Sequence, residues 1–398
     1  MKDKEVKSTT FKLWEVIVIT LVSSLIMSLS TAYVVFRNKS VVNISNSKEL
    51  IELISSYNNI VDNYYDDIDE SALVDAAING MLKYLGDPYT TYLNENNTNL
   101  LNDSLNGTYE GIGVRISLNE DNKIIIRSVI DDTPAERAGL NVNDIITKID
   151  DNDLTGASAN DAVNLIKENT TNEIKIEVKR GEDIKTFIVE KSTLYVPAIY
   201  KEIFNQNDKR IGYIQISKFS DTIYEQFNSA LKSIEQSNIS GLIIDLRDNT
   251  GGYLSGATNI AELFLEKGKI IYSLENRMER EDTKDTTEEH RNYKIYVLIN
   301  NGSASASEVL AAALKYSYGA TLVGTTSYGK GKVQRTNTLA DGTMYKYTSA
   351  KWLTPIGNCI DEIGLTPDIQ IELSDSFIAD PSFENDNQVQ TAIYEISK

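Results

Sequence analysis

The segment Gly302–Glu308, with the sequence GSASASE, contains a serine that could act as a nucleophile. It follows an apolar run that ends at Asn300 and precedes one that begins at Ala306, which predicts a strand, a short loop and a helix. A serine at a helix start lies near free backbone N–H groups, which can stabilise an oxyanion. Ser305 and Glu308 also have the spacing of a capping box, a purely structural device. This segment alone leaves both interpretations of Ser305 open.

The segment Thr326–Gln334, TSYGKGKVQ, contains a lysine between two glycines, shortly after the next predicted strand. Glycines let the backbone pass close to other groups. As a general base near neutral pH, Lys330 would need its pKa lowered by about 3 units, a shift that burial can supply. Gln334, four residues on, could share a strand face with Lys330 and hold its amine. A phosphate-binding loop is the competing interpretation, but the spaced first glycine and the following Ser or Thr are missing.

A third segment, DLRDNTGG at 245–252, ends a buried strand in the pair Gly251-Gly252 before a helix. Backbone N–H groups in that position can point into a cleft at the carboxyl ends of strands. A tight turn with no chemical role would have the same sequence, so this segment alone decides nothing.

The scarcity of histidine and cysteine limits the possible chemistry, because the chain has only His290 and Cys359. No disulfide can form within it, and zinc sites built from several Cys and His ligands are excluded. His290 falls in a charged stretch from about Glu275 to Asn292, which predicts a solvated loop. Acyl-transfer chemistry would therefore run without histidine, and we expect no metal and no cofactor. A net charge of -19 also makes nucleic acid an unsuitable partner.

The elements around these motifs predict an α+β multidomain protein. Helical spacing of apolar residues runs from Ser47 to about Asp103, and a compact unit of short strands and two helices follows from Asn106 to Ser192. In that unit Thr133 is expected to cap a helix. The other elements expected there are strands at 111–116, 123–130 and 144–154, a helix at 158–168 and a hairpin at 173–189. From Leu194 onward strands and helices alternate, as in an α/β domain, with strands at 210–219, 241–246, 294–300, 321–323 and 344–352 and helices at 222–237, 254–265 and 306–318.

The N-terminus predicts export. Val16–Phe36 is an uncharged stretch long enough to cross a bilayer as a helix. Four lysines precede it (Lys2, Lys4, Lys7 and Lys12), which favours an N-terminus inside the cell. A cleaved signal peptide with Ser30-Thr31-Ala32 at the cleavage site is the alternative. Because the apolar run continues to Phe36, an uncleaved anchor is the favoured interpretation, and both interpretations export the rest of the chain.

The unit from Asn106 to Ser192 resembles a PDZ domain in its order of elements, its Gly-x-Gly strand start, and the segments PAERAGL at 134–140 and NDIITKID at 143–150. The resemblance implies that it binds an extended peptide as an added strand and holds the terminal carboxylate on backbone N–H groups. The expected peptide-binding residues are Gly111, Ile112, Gly113, Val114 and Lys167.

GSASASE, TSYGKGKVQ, DLRDNTGG and GDPYTTYL at 86–93 together resemble the motifs of the C-terminal processing peptidases, or tail-specific proteases. The resemblance implies that Ser305 is the nucleophile, Lys330 the general base and Gln334 the residue that orients the lysine. The amides of Ala306 and of one residue in the Gly251-Gly252 pair would form the oxyanion hole. It also implies a crotonase-like α/β core and a PDZ domain that recognises substrate C-termini and gates the active site.

Two positions depart from the family pattern. Thr250 replaces a usual proline, which alters turn stiffness. Lys167 replaces an arginine that can link the PDZ domain to activation, and it keeps the charge without the bidentate geometry.

The expected organisation is a cytoplasmic stub and membrane anchor at 1–40, a helical dimerisation region at 41–105, a PDZ domain at 106–192, a protease core at 193–380 and a C-terminal helix at 381–398. The expected partners are proteins or peptides with free C-termini and a second copy of the chain. The second copy would pair through exposed apolar faces of the helical region and of the C-terminal helix, at about Val389 to Ser397. The expected location is the bacterial cell membrane, with the catalytic part outside the cytoplasm.

A PDZ scaffold that binds without cutting and a crotonase-like acyl-CoA enzyme are the rival functions. The catalytic motifs count against the scaffold, and the membrane segment and PDZ unit count against the acyl-CoA enzyme.

Overall fold

The structure is a computed structural model that describes residues 47–169, 171–339 and 341–398. The chain divides into two compact units at residues 78 and 79. The predicted span Val16–Phe36 lies outside the described residues. Within the described ranges, no helix combines the length and the apolar character that crossing a bilayer requires.

In the first unit, the described residues form one complete helix and the start of a second. Helix α1 (Lys48–Asn63) begins after Ser47, whose Oγ accepts a hydrogen bond from Leu50 N at 3.3 Å. Helix α2 (Glu70–Tyr84) starts in this unit, and its Glu70 accepts a hydrogen bond from the Tyr57 hydroxyl at 3.0 Å. None of the residues of α1 is buried, although apolar residues recur along it at helical spacing.

The second unit begins within α2 and then forms a short strand and a helix before the PDZ-like part. Strand β1 (Thr91–Leu93) pairs with β18 (Met344–Leu353) of the core, and α3 (Glu95–Asn106) follows. We did not predict β1, because three residues between helical segments show no alternation that a sequence pattern can detect. This pairing fixes the GDPYTTYL segment against the sheet that contains β18.

The PDZ-like part has most of the predicted elements. The expected Thr133 cap is wrong, because the Thr133 hydroxyl donates to Ile130 O at 2.6 Å and forms no cap hydrogen bond. The strand expected at 111–116 begins only at Val114. Thr133 precedes a helix with Pro134 first and left-handed Gly139 last, Ser158 caps the next helix, and a hairpin turns between Arg180 and Asp183. Its sheet has the order β3-β4-β5-β7-β8, so β3 is an edge strand. The bounds are β2 (Thr108–Gly111), β3 (Val114–Leu118), β4 (Ile124–Val129), α4 (Pro134–Ala138), β5 (Ile145–Ile149), β6 (Asn152–Asp153), α5 (Ala159–Glu168), β7 (Glu173–Arg180), β8 (Asp183–Glu190) and β9 (Ser192–Tyr195).

The core is a six-stranded sheet covered on both faces, in the order β10-β11-β12-β15-β16-β19, parallel except for β10. Side chains alternate along its strands: Leu242 and Ile244 face one apolar cluster, and Ile243 faces the other. The bounds are β10 (Ile199–Gln206), β11 (Lys209–Ile216), α6 (Ile223–Glu235), β12 (Gly241–Asp245), α7 (Leu254–Glu262), β15 (Lys294–Ile299), α8 (Ala306–Ala313) with a π-helical turn (Leu314–Tyr318), β16 (Thr321–Gly324) and β19 (Ile369–Gln370). The carboxyl ends of β12, β15 and β16 lie side by side, and the three candidate motifs follow them.

A second sheet contains β1, β18, β13 (Ile270–Glu275) and β14 (Arg280–Lys284), with β17 (Lys332–Thr338) paired to β18. The prediction of a solvated loop from Glu275 to Asn292 is wrong at its start, since Arg280–Lys284 forms a strand. Four of its five residues are charged, so it shows no apolar alternation, and pairing with β13 holds it in the sheet. His290 is exposed, as predicted.

The C-terminal helix packs on the core of its own chain. Helix α10 (Asn387–Ser397) follows α9 (Asp375–Ala379), and its apolar residues Val389, Ile393 and Ile396 are buried against the face of the main sheet that α8 does not cover. Each such side chain stabilises the fold by about 1.5–3 kcal/mol. The premise that this helix exposes an apolar face for a second copy is therefore wrong.

A buried ion-pair network joins α10 to the loop after β12. Arg247 bonds Asp245 at 2.6 Å and Asp386 at 2.8 Å, and it also donates to Gln388 at 2.9 Å. The side chain of Asp245 is fully buried, and that of Asp386 is 3% exposed. Removing the cation would leave two buried carboxylates without their partner.

We expect Arg247→Ala to lower the free energy of unfolding by about 3–5 kcal/mol, the usual effect of breaking a buried ion pair from one side. Urea unfolding followed by circular dichroism measures this. Arg277→Ala, which removes an exposed arginine, is the matched control. Equal unfolding midpoints for the two variants would contradict the prediction.

Candidate active site

Ser305 lies at a tight turn between β15 and α8, with backbone angles φ 57° and ψ -116°. A non-glycine residue in this region is strained and is commonly held there at functional sites. The turn is fixed from behind: Ser303 Oγ donates to Leu246 O at 2.8 Å, and Ser307 Oγ donates to Asn249 O at 2.7 Å. These bonds tie the serine loop to the loop after β12.

Glu308 connects the serine loop to the lysine loop. Its carboxylate is fully buried and accepts the N–H of Ser305 at 2.8 Å, of Lys330 at 2.9 Å and of Gly329 at 2.7 Å. It also accepts the hydroxyl of Ser327 at 2.6 Å. Burial raises the pKa of Glu308 above its ordinary value, although these hydrogen bonds act in the opposite direction. The capping geometry expected for Glu308 is present, and the same carboxylate also holds the lysine loop.

The glycines beside Lys330 are needed for close packing, as the sequence predicted. A Cβ at Gly329 would lie 2.8 Å from the backbone of Gly364, and one at Gly331 would lie 2.7 Å from Asp361. The indole of Trp352 donates to Lys330 O at 2.8 Å. The main chain at Lys330 is therefore fixed on three sides, while its side chain extends into a cavity.

The Lys330 amine lies 4.9 Å from the centre of the Tyr89 ring, a cation–π contact. Burial lowers the pKa of Lys330 below its ordinary value, and the charges of Lys346 and Lys218 act in the same direction. Within the described residues, no hydrogen bond joins this amine to Ser305. Burial also raises the pKa of Tyr89 to about 12, so its hydroxyl stays neutral at physiological pH.

Within the part of the chain that the structure describes, no hydrogen bond joins the Gln334 side chain to the Lys330 amine. Its Nε2 donates to Lys332 O at 3.2 Å and to Thr348 Oγ1 at 3.4 Å. The strand-face argument from the sequence is wrong, because β17 begins after Lys330 and has a bulge between Val333 and Gln334. Gln334 still lines the same cavity as Lys330.

Of the two glycines after β12, one has a free amide. Gly251 N donates to Asn249 Oδ1 at 2.9 Å, whereas the amides of Gly252 and Ala306 donate no hydrogen bond within the described part of the chain. Gly251 packs against the serine loop so closely that an added Cβ would lie 2.9 Å from Ser305 Cβ. An added Cβ at Gly252 would lie 2.0 Å from Phe219 O. Both positions need glycine, for different reasons.

One cavity of about 480 Å³ brings most of these groups together. Ser305, Lys330, Gln334 and Gly252 line it. Its apolar wall comes from α3 and from the core, through Leu101, Leu105, Leu254, Val309, Val333, Met344 and Trp352. A cavity of this kind can hold an extended peptide segment with an apolar side chain next to the serine.

The PDZ residues lie apart from this cavity. Ile112 is buried, and its carbonyl accepts Ala135 N at 2.8 Å, while Gly113 packs on Thr133 with φ 93°. Val114 begins the edge strand β3, which can accept a further strand on its open side. Lys167, on α5, lies 3.6 Å from the carboxylate of Asp103 on α3.

Sequence reasoning missed several residues of the site. Tyr89 and Asp87 lie in GDPYTTYL, a segment that contributed only to the family resemblance. In the structure, Asp87 accepts hydrogen bonds from the hydroxyls of Thr90 at 2.6 Å and Thr348 at 2.5 Å, and these bonds fix the loop that contains Tyr89. Lys218 and Lys346 lie in segments with no motif. A lysine after an apolar strand is too common to mark a site, so no sequence signal could have identified them.

Comparison with known families matches three parts of the chain. Residues 210–371 match peptidase family S41, residues 102–179 match the PDZ domain, and residues 25–97 match the N-terminal domain of the activating protease CtpB. The S41 match includes all three candidate motifs of the core.

Two relatives from Bacillus subtilis match most of the chain. The carboxy-terminal processing protease CtpA is 36% identical over 326 residues, covering 81% of this chain and 69% of the relative. The carboxy-terminal processing protease CtpB is 36% identical over 337 residues, covering 84% and 70%. Among solved structures, an S41 protease from Bacteroides fragilis superposes with a TM-score of 0.51 at 16% identity, covering 84% of this chain and 98% of that one. The last similarity shows the fold alone.

Proposed function

Because this chain belongs to peptidase family S41, as a carboxy-terminal processing serine protease with a PDZ domain, we propose that Ser305 is its nucleophile and Lys330 its general base. Neutral Lys330 takes the proton of Ser305 as the hydroxyl oxygen attacks the scissile carbonyl. The leaving amine then receives that proton, and water hydrolyses the acyl-enzyme by the same route. The observation that carries this proposal is a strained serine and a lysine of lowered pKa lining one cavity.

The oxyanion hole consists, in this proposal, of the N–H groups of Gly252 and Ala306. Their freedom from other hydrogen bonds supports it, and the bond from Gly251 N to Asn249 counts against the first glycine. Gln334 takes its orienting role only after its amide turns from Lys332 O towards the lysine amine. The core is crotonase-like in this proposal, which the three-layer arrangement around a parallel sheet supports.

If Lys330 is the base, kcat/KM should rise with pH and level off once the lysine is neutral. The midpoint should lie below the ordinary lysine value of 10.5, because burial and two nearby cations disfavour the charged form. The same pKa shift affects stability. At pH values between the pKa of Lys330 in the folded chain and its pKa in the unfolded chain, the unfolded chain binds more protons, so the free energy of unfolding rises with pH. A pH–rate profile on a short peptide measures this. A flat profile, or a midpoint at or above 10.5, would refute Lys330 as base.

We also propose that the PDZ domain gates the site. The Lys330 amine lies over Tyr89 and is not bonded to Ser305, which supports a resting arrangement that substrate binding must change. The link in this proposal is α3, because Leu101 and Leu105 of this helix line the cavity and its Asp103 pairs with Lys167 of the PDZ domain. The pair is about half exposed, so it contributes at most about 1 kcal/mol.

We expect Asp103→Lys to raise basal cleavage of an unfolded protein by up to about 5-fold, since a loss of about 1 kcal/mol destabilises the resting arrangement. The double variant Asp103→Lys with Lys167→Asp restores the pair and should restore the low basal rate. Equal rates in the wild type, the single variant and the double variant would remove this contact from the gate.

The remaining expectations concern location and assembly. We propose that Val16–Phe36 anchors the protein in the bacterial membrane with its catalytic part outside, and that it acts on proteins with free C-termini. Membrane fractionation with and without residues 1–40 tests the anchor.

A homodimer through residues 41–105 is supported by exposed Ile51, Ile54 and Ile60 on α1. A monomer in light scattering would exclude the dimer.

A further inference from the structure

The catalytic cavity has a charge opposite to that of the whole protein. The chain has a net charge of -19, yet four lysines line this cavity and, among its described lining residues, there is no Asp or Glu. The four are Lys218, Lys330, Lys332 and Lys346. Such a local reversal of charge raises the concentration of an anionic group inside a cleft.

The four lysines are not equivalent. Lys332 lies 3.5 Å from Asp361 and 3.9 Å from Asp87, so two carboxylates of the protein offset its charge. The amine of Lys330 contacts the Tyr89 ring. Lys218 and Lys346 are half-buried, and neither side chain forms an ion pair or a hydrogen bond with the described part of the chain. Two cations held near a third, with no anion of their own, cost stability unless a ligand supplies the anion.

The two unpaired lysines reach the cavity from different elements. Lys218 follows β11 and precedes Phe219, whose N–H donates to Gly251 O at 3.1 Å in the loop that borders Ser305. Lys346 lies on β18, opposite Thr91 of β1 and Thr336 of β17. Both residues line the cavity that Ser305 and Lys330 also line. A group bound between them would occupy the same cavity as the Ser305 hydroxyl.

We infer that Lys218 and Lys346 bind a carboxylate of the substrate, and so direct this protease to peptide segments that carry an acidic side chain or a free C-terminus next to the cleavage site. The inference deepens the proposed function, on which it rests, by naming the substrate class. The apolar wall of the cavity binds the neighbouring side chain, and the two ammonium groups bind the anion as point charges on flexible stems. The preferred segment is therefore apolar at the bond and anionic close to it.

The test compares kcat/KM on three peptides of one sequence. The first has a glutamate near the cleavage site and a free C-terminus, the second has glutamine at that position, and the third has an amidated C-terminus. For the wild type we expect the fully anionic peptide to be preferred by about 10-fold over at least one neutralised form, the usual size of a charged hydrogen bond. The preference should weaken as salt is raised. Preference for the neutral peptides would overturn the inference.

Variants then assign the preference to the two lysines. In Lys218→Gln with Lys346→Gln the ratio between anionic and neutral peptides should fall to about one. Any effect of these changes on Lys330 alters both rates alike and cancels in the ratio. Lys218→Arg and Lys346→Arg keep the charge and should keep the ratio. Lys232→Gln, which removes an exposed lysine from α6, is the matched control. An unchanged ratio in the double glutamine variant, with circular dichroism like that of the wild type, would overturn the inference.

The peptides also identify which carboxylate is bound. Loss of preference on glutamine substitution indicates a side chain, and loss on amidation indicates the terminus. Binding of the same peptides to Ser305→Ala, followed by fluorescence anisotropy, measures the preference without catalysis. Full cleavage by Ser305→Ala would end the proposed function, whereas equal affinity for all three peptides would end only this inference.

Discussion

Cleavage of an unfolded model protein should fall by at least about 10⁴-fold in the Ser305→Ala variant, with the fold unchanged. The alanine removes the only hydroxyl that we assign to the attack on the scissile carbonyl, and it leaves the hydrogen bond from the backbone N–H of residue 305 to Glu308 in place. Product formation is measured by gel and mass spectrometry, and folding by thermal unfolding. Ser229→Ala, an exposed serine on α6, is the matched control and should cleave normally.

Lys330→Ala should be as inactive as Ser305→Ala, and the double variant should be no worse than either single one. A nucleophile and its base act as a unit, so their losses do not add. A residual rate in Lys330→Ala within about 10-fold of the wild type would assign the base to another group. Full activity of Ser305→Ala would reject the mechanism as a whole.

Glu308 is the second position where we expect a large effect. Glu308→Gln should lower kcat by at least about 100-fold, because one carboxylate positions both reacting residues and a displacement of about 1 Å has this effect. The glutamine amide would direct its own N–H groups at the donors of Ser305 and Lys330. Each buried donor left without an acceptor costs about 1–3 kcal/mol, so the free energy of unfolding should also fall by several kcal/mol.

Two measurements separate positioning from simple loss of fold. Thermal unfolding gives the folded fraction, and kcat is then taken at a temperature where Glu308→Gln is fully folded. Glu279→Gln, at an exposed turn, is the matched control. A folded Glu308→Gln variant with wild-type kcat would show that the carboxylate only caps α8.

The local rules of helix and turn formation predicted much of the fold. Pro134 and Gly139 delimit a helix through φ restriction and a left-handed end, both of which depend on neighbours in sequence. The three motif loops were predicted at strand ends because each follows a buried apolar run. The PDZ domain and the serine protease family, inferred from these segments, are confirmed by the comparisons.

What the sequence could not supply depends on partners distant along the chain. Strand β14 has charged side chains at four of its five positions and forms because β13 pairs with it. The helical pattern of α10 predicted an apolar face but not the sheet that covers it. Glu308 matched a cap three residues after Ser305, yet its other three donors lie about twenty residues further on, in a loop whose path no local rule fixes.

Because β12, β15 and β16 must lie side by side to form the site, the protein can cleave a substrate only after these strands have paired. Parallel strands pair only after the segments between them have crossed over the sheet, and such long-range pairing comes late in folding. The lysine loop further depends on residues 361–365, which follow it in the chain and pack against it. A newly made or half-unfolded copy therefore contains a serine and a lysine without a shared cavity. Such a copy should be inert, so that proteolysis starts only once a chain has fully folded.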